Sequence, residues 1–179
     1  TRRSSDLRLK IMGILDTIIT NHQKESLEQF ELNLIIEKIL GPLKDRERLI
    51  LSKRYGLQGH GIQTLKTVGD EQGLTRERVR QIEKDLIKNL KRGVQELESF
   101  ISARDLLVNT IAEHGGIMSE EVLLDYLGID SDKQSNAIRF LLNLIAELEV
   151  HEEDEHIRHS WHRLGFDKEL LRKLIKQFQ

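Results

Sequence analysis

Cysteine is absent from this 179-residue chain, which excludes disulfides and thiol-ligated metal sites and suits a reducing compartment. One proline, Pro42, stands in the whole sequence, so little interrupts helices. Aromatic residues make up 4% and are scattered, so no aromatic-rich segment stands out. No apolar run approaches the ~20 residues needed to cross a bilayer. The charged N-terminus has no apolar signal core. The expectation is therefore a cytoplasmic protein with no membrane partner. The chain opens on Thr1 rather than methionine, as a processed form or a fragment would, which leaves an upstream domain open.

What is present is charge and helix-forming residues. Charged residues reach 32% and apolar ones 38%, with a net charge of −2. Leu, Glu, Lys and Arg are all strong helix formers. The small net charge hides a polarity. From Leu43 to Gly93 there are 13 Lys+Arg against 7 Asp+Glu, whereas Ile101–Gln179 has 9 against 15. A basic middle beside an acidic end points to nucleic-acid binding in the middle.

Apolar periodicity and caps predict the elements. Leu7, Ile11, Ile14, Leu15 and Ile18 lie near helical spacing, in a segment expected to be helical within residues 1–31. Ser26 with Gln29 reads as a capping box opening a helix Leu27–Leu40, closed by Gly41-Pro42. A helix Asp45–Tyr55 follows and stops at Gly56. A short helix Leu65–Glu71 and a long one Arg76–Arg92 are joined by Gly73-Leu74-Thr75, with Thr75 as N-cap. Residues 94–102 read as a linker or helix extension. Beyond them come helices Arg104–His114, Glu120–Leu127 and about Asp132–Glu149. Extended stretches around Val150–His151 and Ile157–Trp161, and a last helix Lys168–Phe178, complete the chain. Three helices followed by a hairpin is the order of a winged helix. The fold class expected is mainly α, with a helix-turn-helix domain over 32–93 and a winged-helix domain with a small β-hairpin over 103–179.

Thr64–Arg92 carries the functional signal. At about 100° per residue, Val79, Ile82, Leu86 and Leu90 share one helix face. Glu77, Arg80, Gln81, Lys84 and Lys88 share the opposite face, with Arg76 at its edge. The apolar stripe can pack on Leu65 and Val68, leaving the polar face free to enter a major groove. Arg can bond a guanine edge bidentately, Gln an adenine, and Glu can accept from a cytosine amino group. Lys66, Lys84 and Lys88 suit phosphates, which position without specifying. The competing reading is a solvated face of intrahelical ion pairs.

Leu43-Lys-Asp-Arg-Glu-Arg-Leu-Ile-Leu-Ser-Lys-Arg-Tyr-Gly-Leu, then Thr64-Leu, Val68-Gly69 and Leu74-Thr-Arg-Glu-Arg-Val-Arg-Gln-Ile-Glu, closely resembles region 4 of bacterial housekeeping-type sigma factors. The likeness covers Leu32–Arg92, about a third of the chain. It implies a double-stranded promoter −35 element as ligand, with Thr75, Arg76, Glu77, Arg80 and Gln81 at the DNA. It also implies docking on the RNA polymerase β flap through the Asp45–Tyr55 helix, whose Arg46, Leu49, Ile50, Lys53 and Arg54 would form the polymerase-facing surface. Nothing in the chain resembles the sigma region that melts the −10 element.

Ala103-Arg-Asp-Leu-Leu, Ile111-Ala-Glu-His-Gly-Gly-Ile-Met-Ser-Glu-Glu-Val-Leu and Ala137-Ile-Arg-Phe-Leu-Leu more weakly resemble the HARE-HTH type of winged helix, a module also found in the polymerase δ subunit. A DNA role there would fall to Lys133, Gln134, Asn136 and Arg139. The acidic wing His151-Glu-Glu-Asp-Glu-His repels phosphate and favours a protein contact or self-association.

His151, His156, His159 and His162 do not form a familiar zinc set, since a strand sends His159 and His162 to opposite faces and no cysteine is present. Glu120/Glu121 and Glu152/Glu153 read as surface charge, with no nucleophile or phosphate loop beside them. No catalytic residue, metal or cofactor is expected, and an enzyme is not. The amphipathic stretches Leu7–Ile19 and Leu170–Phe178 suit core packing or dimer contacts. Two function classes follow: a transcription factor that reads a −35-like element, or an adaptor of the transcription machinery that binds no DNA.

Overall fold

The computed structural model describes residues 32–155 and 157–177. The expected helical segment within 1–31, the capping box at Ser26 and His156 lie outside the described residues.

The first described helix, α1 (Leu32–Leu40), buries Leu32, Ile35, Ile36, Ile39 and Leu40 along one face and leaves Leu34 exposed on the other. The Gly41 amide closes it on the Glu37 carbonyl at 2.7 Å. Arg48 then reaches back and donates to the carbonyls of Leu40, Gly41 and Leu43 at 3.0–3.3 Å, satisfying acceptors that a helix end leaves open. Helix α2 (Asp45–Tyr55) starts where the Lys44 amide donates to the Glu47 carboxylate at 3.2 Å, and stops at Gly56 with φ 65. Helix α3 (Leu65–Gln72) is capped by Thr64 and stops at Gly73, also at φ 65. Helix α4 (Arg76–Gly93) is capped by Thr75.

The segment after Gly93 is ordered structure packed into the core. A 3-10 turn spans Val94–Glu96, and helix α5 runs Glu98–Glu113, beginning six residues before the expected start at Arg104. Val94 and Phe100 are buried, and this pulls the segment onto the protein. Strand β1 (Ile117–Ser119), helix α6 (Glu120–Tyr126) and helix α7 (Asp132–Leu144) come next. Strands β2 (Leu148–His151) and β3 (Ser160–Arg163) and helix α8 (Lys168–Gln177) complete the order.

The three strands form an antiparallel sheet in the order β1-β3-β2, with Met118 and Val150 both paired to Trp161. Helix, strand, two helices and two strands is a winged-helix arrangement. The expected hairpin is thus one part of a larger sheet. Strand β1 is too short to show a two-residue period. Helix α7 also ends earlier than its helix-forming sequence predicts. Ile145 turns extended, and it and Leu148 are buried on the way into β2. Packing overrides propensity there.

Among the described residues, two apolar clusters hold the fold together. A small one, Ile50, Val68 and Val79, sits inside the helix-turn-helix with Leu65, Leu74 and Ile82 against it. The large one runs without a break from α1 to Trp161. Helix α7 lies in its middle and packs on α1, α2, α4 and α5. The Tyr55 and Phe140 rings meet edge to face with centroids 5.1 Å apart. Residues 32–93 and 103–161 therefore share one core.

Candidate nucleic-acid interface

Helices α3 and α4 form a tight corner because Gly69 leaves room for it. A Cβ on Gly69 would stand 2.6 Å from the Leu74 carbonyl oxygen. The Gly69 carbonyl in turn accepts from the Leu74 amide at 2.8 Å. Thr75 Oγ1 accepts from the Arg78 amide at 3.1 Å and starts α4 in the direction the corner sets.

Val79, Leu86 and Leu90 of α4 are buried and Ile82 is half-buried, as the periodicity predicts. The opposite side leaves Arg76, Glu77, Arg80, Gln81, Lys84 and Lys88 exposed on one helix, with Lys66 exposed on α3. Arg80 grips Glu77 bidentately, Nε to Oε2 at 2.9 Å and Nη2 to Oε1 at 2.6 Å. The hydrogen bonds from Arg80 hold the Glu77 carboxyl below its ordinary range, and Glu77 raises the Arg80 guanidinium in return. The pair presents a planar guanidinium at a set angle, with a carboxylate acceptor beside it. Arg78 donates to Gln81 Oε1 at 3.3 Å and is exposed. Sequence reasoning passed over Arg78 because its helical position borders the apolar stripe; its place in the Arg-Glu-Arg-Val-Arg run was the available signal.

The expected polymerase-facing set does not form one open surface. Ile50 is fully buried against Val68 and Val79, which removes it from any surface: α2 crosses under α3 and α4 through this side chain. Arg46 donates to the Gln72 carbonyl at 2.6 Å. Lys53 pairs with Glu71 of α3. Arg54 donates to Glu83 of α4 at 2.9 Å and also binds the Gln63 carbonyl. These cations brace α2 against α3 and α4. Leu49 stays half-buried. Tyr55, pushed well above the ordinary phenol range first by burial and then by Glu83, joins the same bracket.

The third helix of the winged unit does not present a reading face. Asn136 is buried and donates to the Gly56 carbonyl at 3.3 Å. Arg139 donates to Asn136 Oδ1 at 3.0 Å and to Glu120 at 2.7 Å. Gln134 serves the Ser131 cap, and Lys133 alone of the four is exposed. The wing between β2 and β3 carries exposed Glu152, Glu153, Asp154 and Glu155. Asp154 organises it, accepting from the Ile157 amide at 2.9 Å and from Arg172 at 2.8 Å, with His151 Nε2 at 3.0 Å. His159 faces Glu120 at 3.3 Å and Glu152 at 3.5 Å. Among the described residues no three His, Asp or Glu side chains gather as a metal site. Among them, too, no helix is long and apolar enough to cross a membrane.

Residues 39–92 match the family model Sigma-70, region 4. Over 71 residues the chain is 44% identical to the RNA polymerase principal sigma factor HrdD of Streptomyces griseus, covering 37% of this chain and 21% of that protein. It is 48% identical over 56 residues to the RNA polymerase principal sigma factor HrdC of Streptomyces coelicolor, covering 31% and 16% respectively. The chain thus spans about a fifth or less of the length of the curated relatives it matches. The matched segment contains α2 and α3 whole and α4 through Arg92, so the corner and its exposed basic face lie within the part of the chain similar to sigma region 4.

Proposed function

We propose that this protein is a DNA-binding transcription factor that lays α4 in the major groove of a promoter −35-like element. The observation that carries the reading is the exposed set Arg76, Glu77, Arg80 and Gln81 on one face of a capped helix, within the segment similar to principal sigma factors. Arg80 and Gln81 have the donor geometry for guanine and adenine edges, and Glu77 accepts from a cytosine amino group or orients Arg80. Lys66, Lys84 and Lys88, with Arg78, supply phosphate contacts that set register.

Contact with RNA polymerase is part of this proposal. It is supported by the relatives, which are RNA polymerase principal sigma factors. The buried Ile50 and the engaged Arg46, Lys53 and Arg54 argue that any such contact uses other residues around Leu49 and the start of α2. The C-terminal winged unit is read as a HARE-HTH-like module turned to protein contact, because α7 is spent on the core and the wing is acidic.

The test is binding of the full chain to a −35-like duplex over a range of salt. Each phosphate contact adds about 0.9 to the slope of log affinity against log salt. A steep slope with preference for the promoter sequence supports DNA reading. A chain that leaves the duplex unbound at low salt is the adaptor instead.

A further inference from the structure

Three consecutive residues, Arg54, Tyr55 and Gly56, join the winged unit to α4. On α7, Asn136 and Phe140 stand one turn apart and share a face. Asn136 donates to the Gly56 carbonyl at 3.3 Å. Phe140, fully buried, meets the Tyr55 ring edge to face, with centroids 5.1 Å apart. On the other side, Arg54 Nε donates to Glu83 Oε2 of α4 at 2.9 Å. The Tyr55 hydroxyl meets the same carboxylate in a hydrogen bond. Burial first, and Glu83 after it, push the phenol well above its ordinary range, so the hydroxyl keeps its proton and stays a donor.

The Glu83 side chain is only 17% exposed, so its carboxylate depends on these two donors more than on water. It lies three residues after Arg80 and two after Gln81, and about 10 Å along the helix from Arg76 at 1.5 Å per residue. The clamp therefore grips α4 directly behind its reading residues. Contacts that read base edges need their side chains held to within about 0.5 Å. Phosphate contacts carry no sequence information and are less exacting. Tyr55 is the last residue of α2. A helix end frays unless something beyond the helix holds it, and here Phe140 and Asn136 do so.

We propose that the winged unit positions α4 for base reading through Tyr55, without touching DNA itself. Phe140 and Asn136 hold the end of α2, Tyr55 and Arg54 hold Glu83, and Glu83 holds the angle of α4. Tyr55 and Phe140 are positioning residues, and their role rests on the DNA reading proposed above. A ring packed for stability alone is the other reading of Tyr55. Tyr55→Phe separates the two, because it keeps the ring against Phe140 and removes only the hydroxyl.

Tyr55→Phe, Phe140→Leu and the double variant are compared with the unaltered full chain in two measurements. Amide residual dipolar couplings in the free protein report the angle of α4 to α7. Binding to −35-like and scrambled duplexes, well below the unfolding temperature, reports the reading. Expected in each single variant are shifted couplings in α4 and a roughly fivefold loss for the −35-like duplex, with the scrambled duplex bound as before. The double variant loses no more than a single one, because Phe140 acts through the Tyr55 hydroxyl. Tyr55→Phe alone decides the matter where Phe140→Leu fails to fold. Unchanged couplings and unchanged preference in Tyr55→Phe overturn the proposal, as do losses that add in the double variant. An unaltered chain that binds neither duplex removes the DNA reading instead, and the couplings then decide the positioning alone.

Discussion

The side-chain amide of Asn136 donates to the carbonyl of Gly56 at 3.3 Å, joining positions 80 residues apart in the chain. Gly56 closes α2 at φ 65, and a Cβ there would stand 2.4 Å from the Asn136 nitrogen. The contact fastens the winged unit to the end of a helix of the reading unit. Asn136→Ala leaves the Gly56 carbonyl and an Arg139 donor without partners. The expected loss is about 1–3 kcal/mol of stability. Denaturant unfolding checks it, and a single transition for the whole chain, shifted as one, is the expected form.

Gly69→Ala should loosen the corner. Alanine gains up to about 1 kcal/mol of helix propensity over glycine. The added methyl, however, meets a backbone oxygen, not a movable side chain, and overpacking of that kind costs about 1–3 kcal/mol. The expected net is a loss of stability with a larger loss of DNA affinity, because α4 is re-aimed. Thermal unfolding and duplex binding, measured on the same variant, separate the two.

The Glu77–Arg80 pair predicts a pH signature. In the folded chain Arg80 holds the Glu77 carboxyl below its ordinary value. Its contribution to folding is therefore present above the unfolded-state value and lost as pH falls through the folded one. Carbon-detected NMR titration should find Glu77 titrating below the ordinary glutamate value, and Arg80→Ala should raise it. A Glu77 that titrates normally in the unaltered chain rules out a persistent pair.

Much of the reading unit was legible in advance. Thr75 as a cap, Gly56 as a stop, the turn at Gly73 and the stripe from Val79 to Leu90 act locally, so the sequence carries them openly. What escaped depends on distant partners. Leu49, Ile50 and Leu51 are consecutive, and only the crossing of α3 and α4 decides that Ile50 goes fully inside while Leu49 stays half out. Asn136 and Arg139 look like a solvent-facing pair until Gly56 and Glu120 arrive from elsewhere in the chain. Strand β1 has no periodicity to read in three residues and exists because β3 pairs with it.

Salt dependence distinguishes readers from positioners on α4. Lys84→Ala plus Lys88→Ala should weaken binding to promoter and scrambled duplexes alike, and flatten the salt slope by roughly 0.9 for each phosphate contact removed. A changed sequence preference would instead place one of these lysines at a base.

The most direct measurement compares the unaltered chain with Arg80→Ala plus Gln81→Ala on two labelled duplexes, one −35-like and one scrambled. Each bidentate base contact contributes about 1–3 kcal/mol of discrimination. The account predicts that the double variant, folded by circular dichroism, loses roughly tenfold or more in affinity for the −35-like duplex and binds both alike. Unchanged affinity and unchanged preference would contradict the assignment of α4 as the DNA-reading helix.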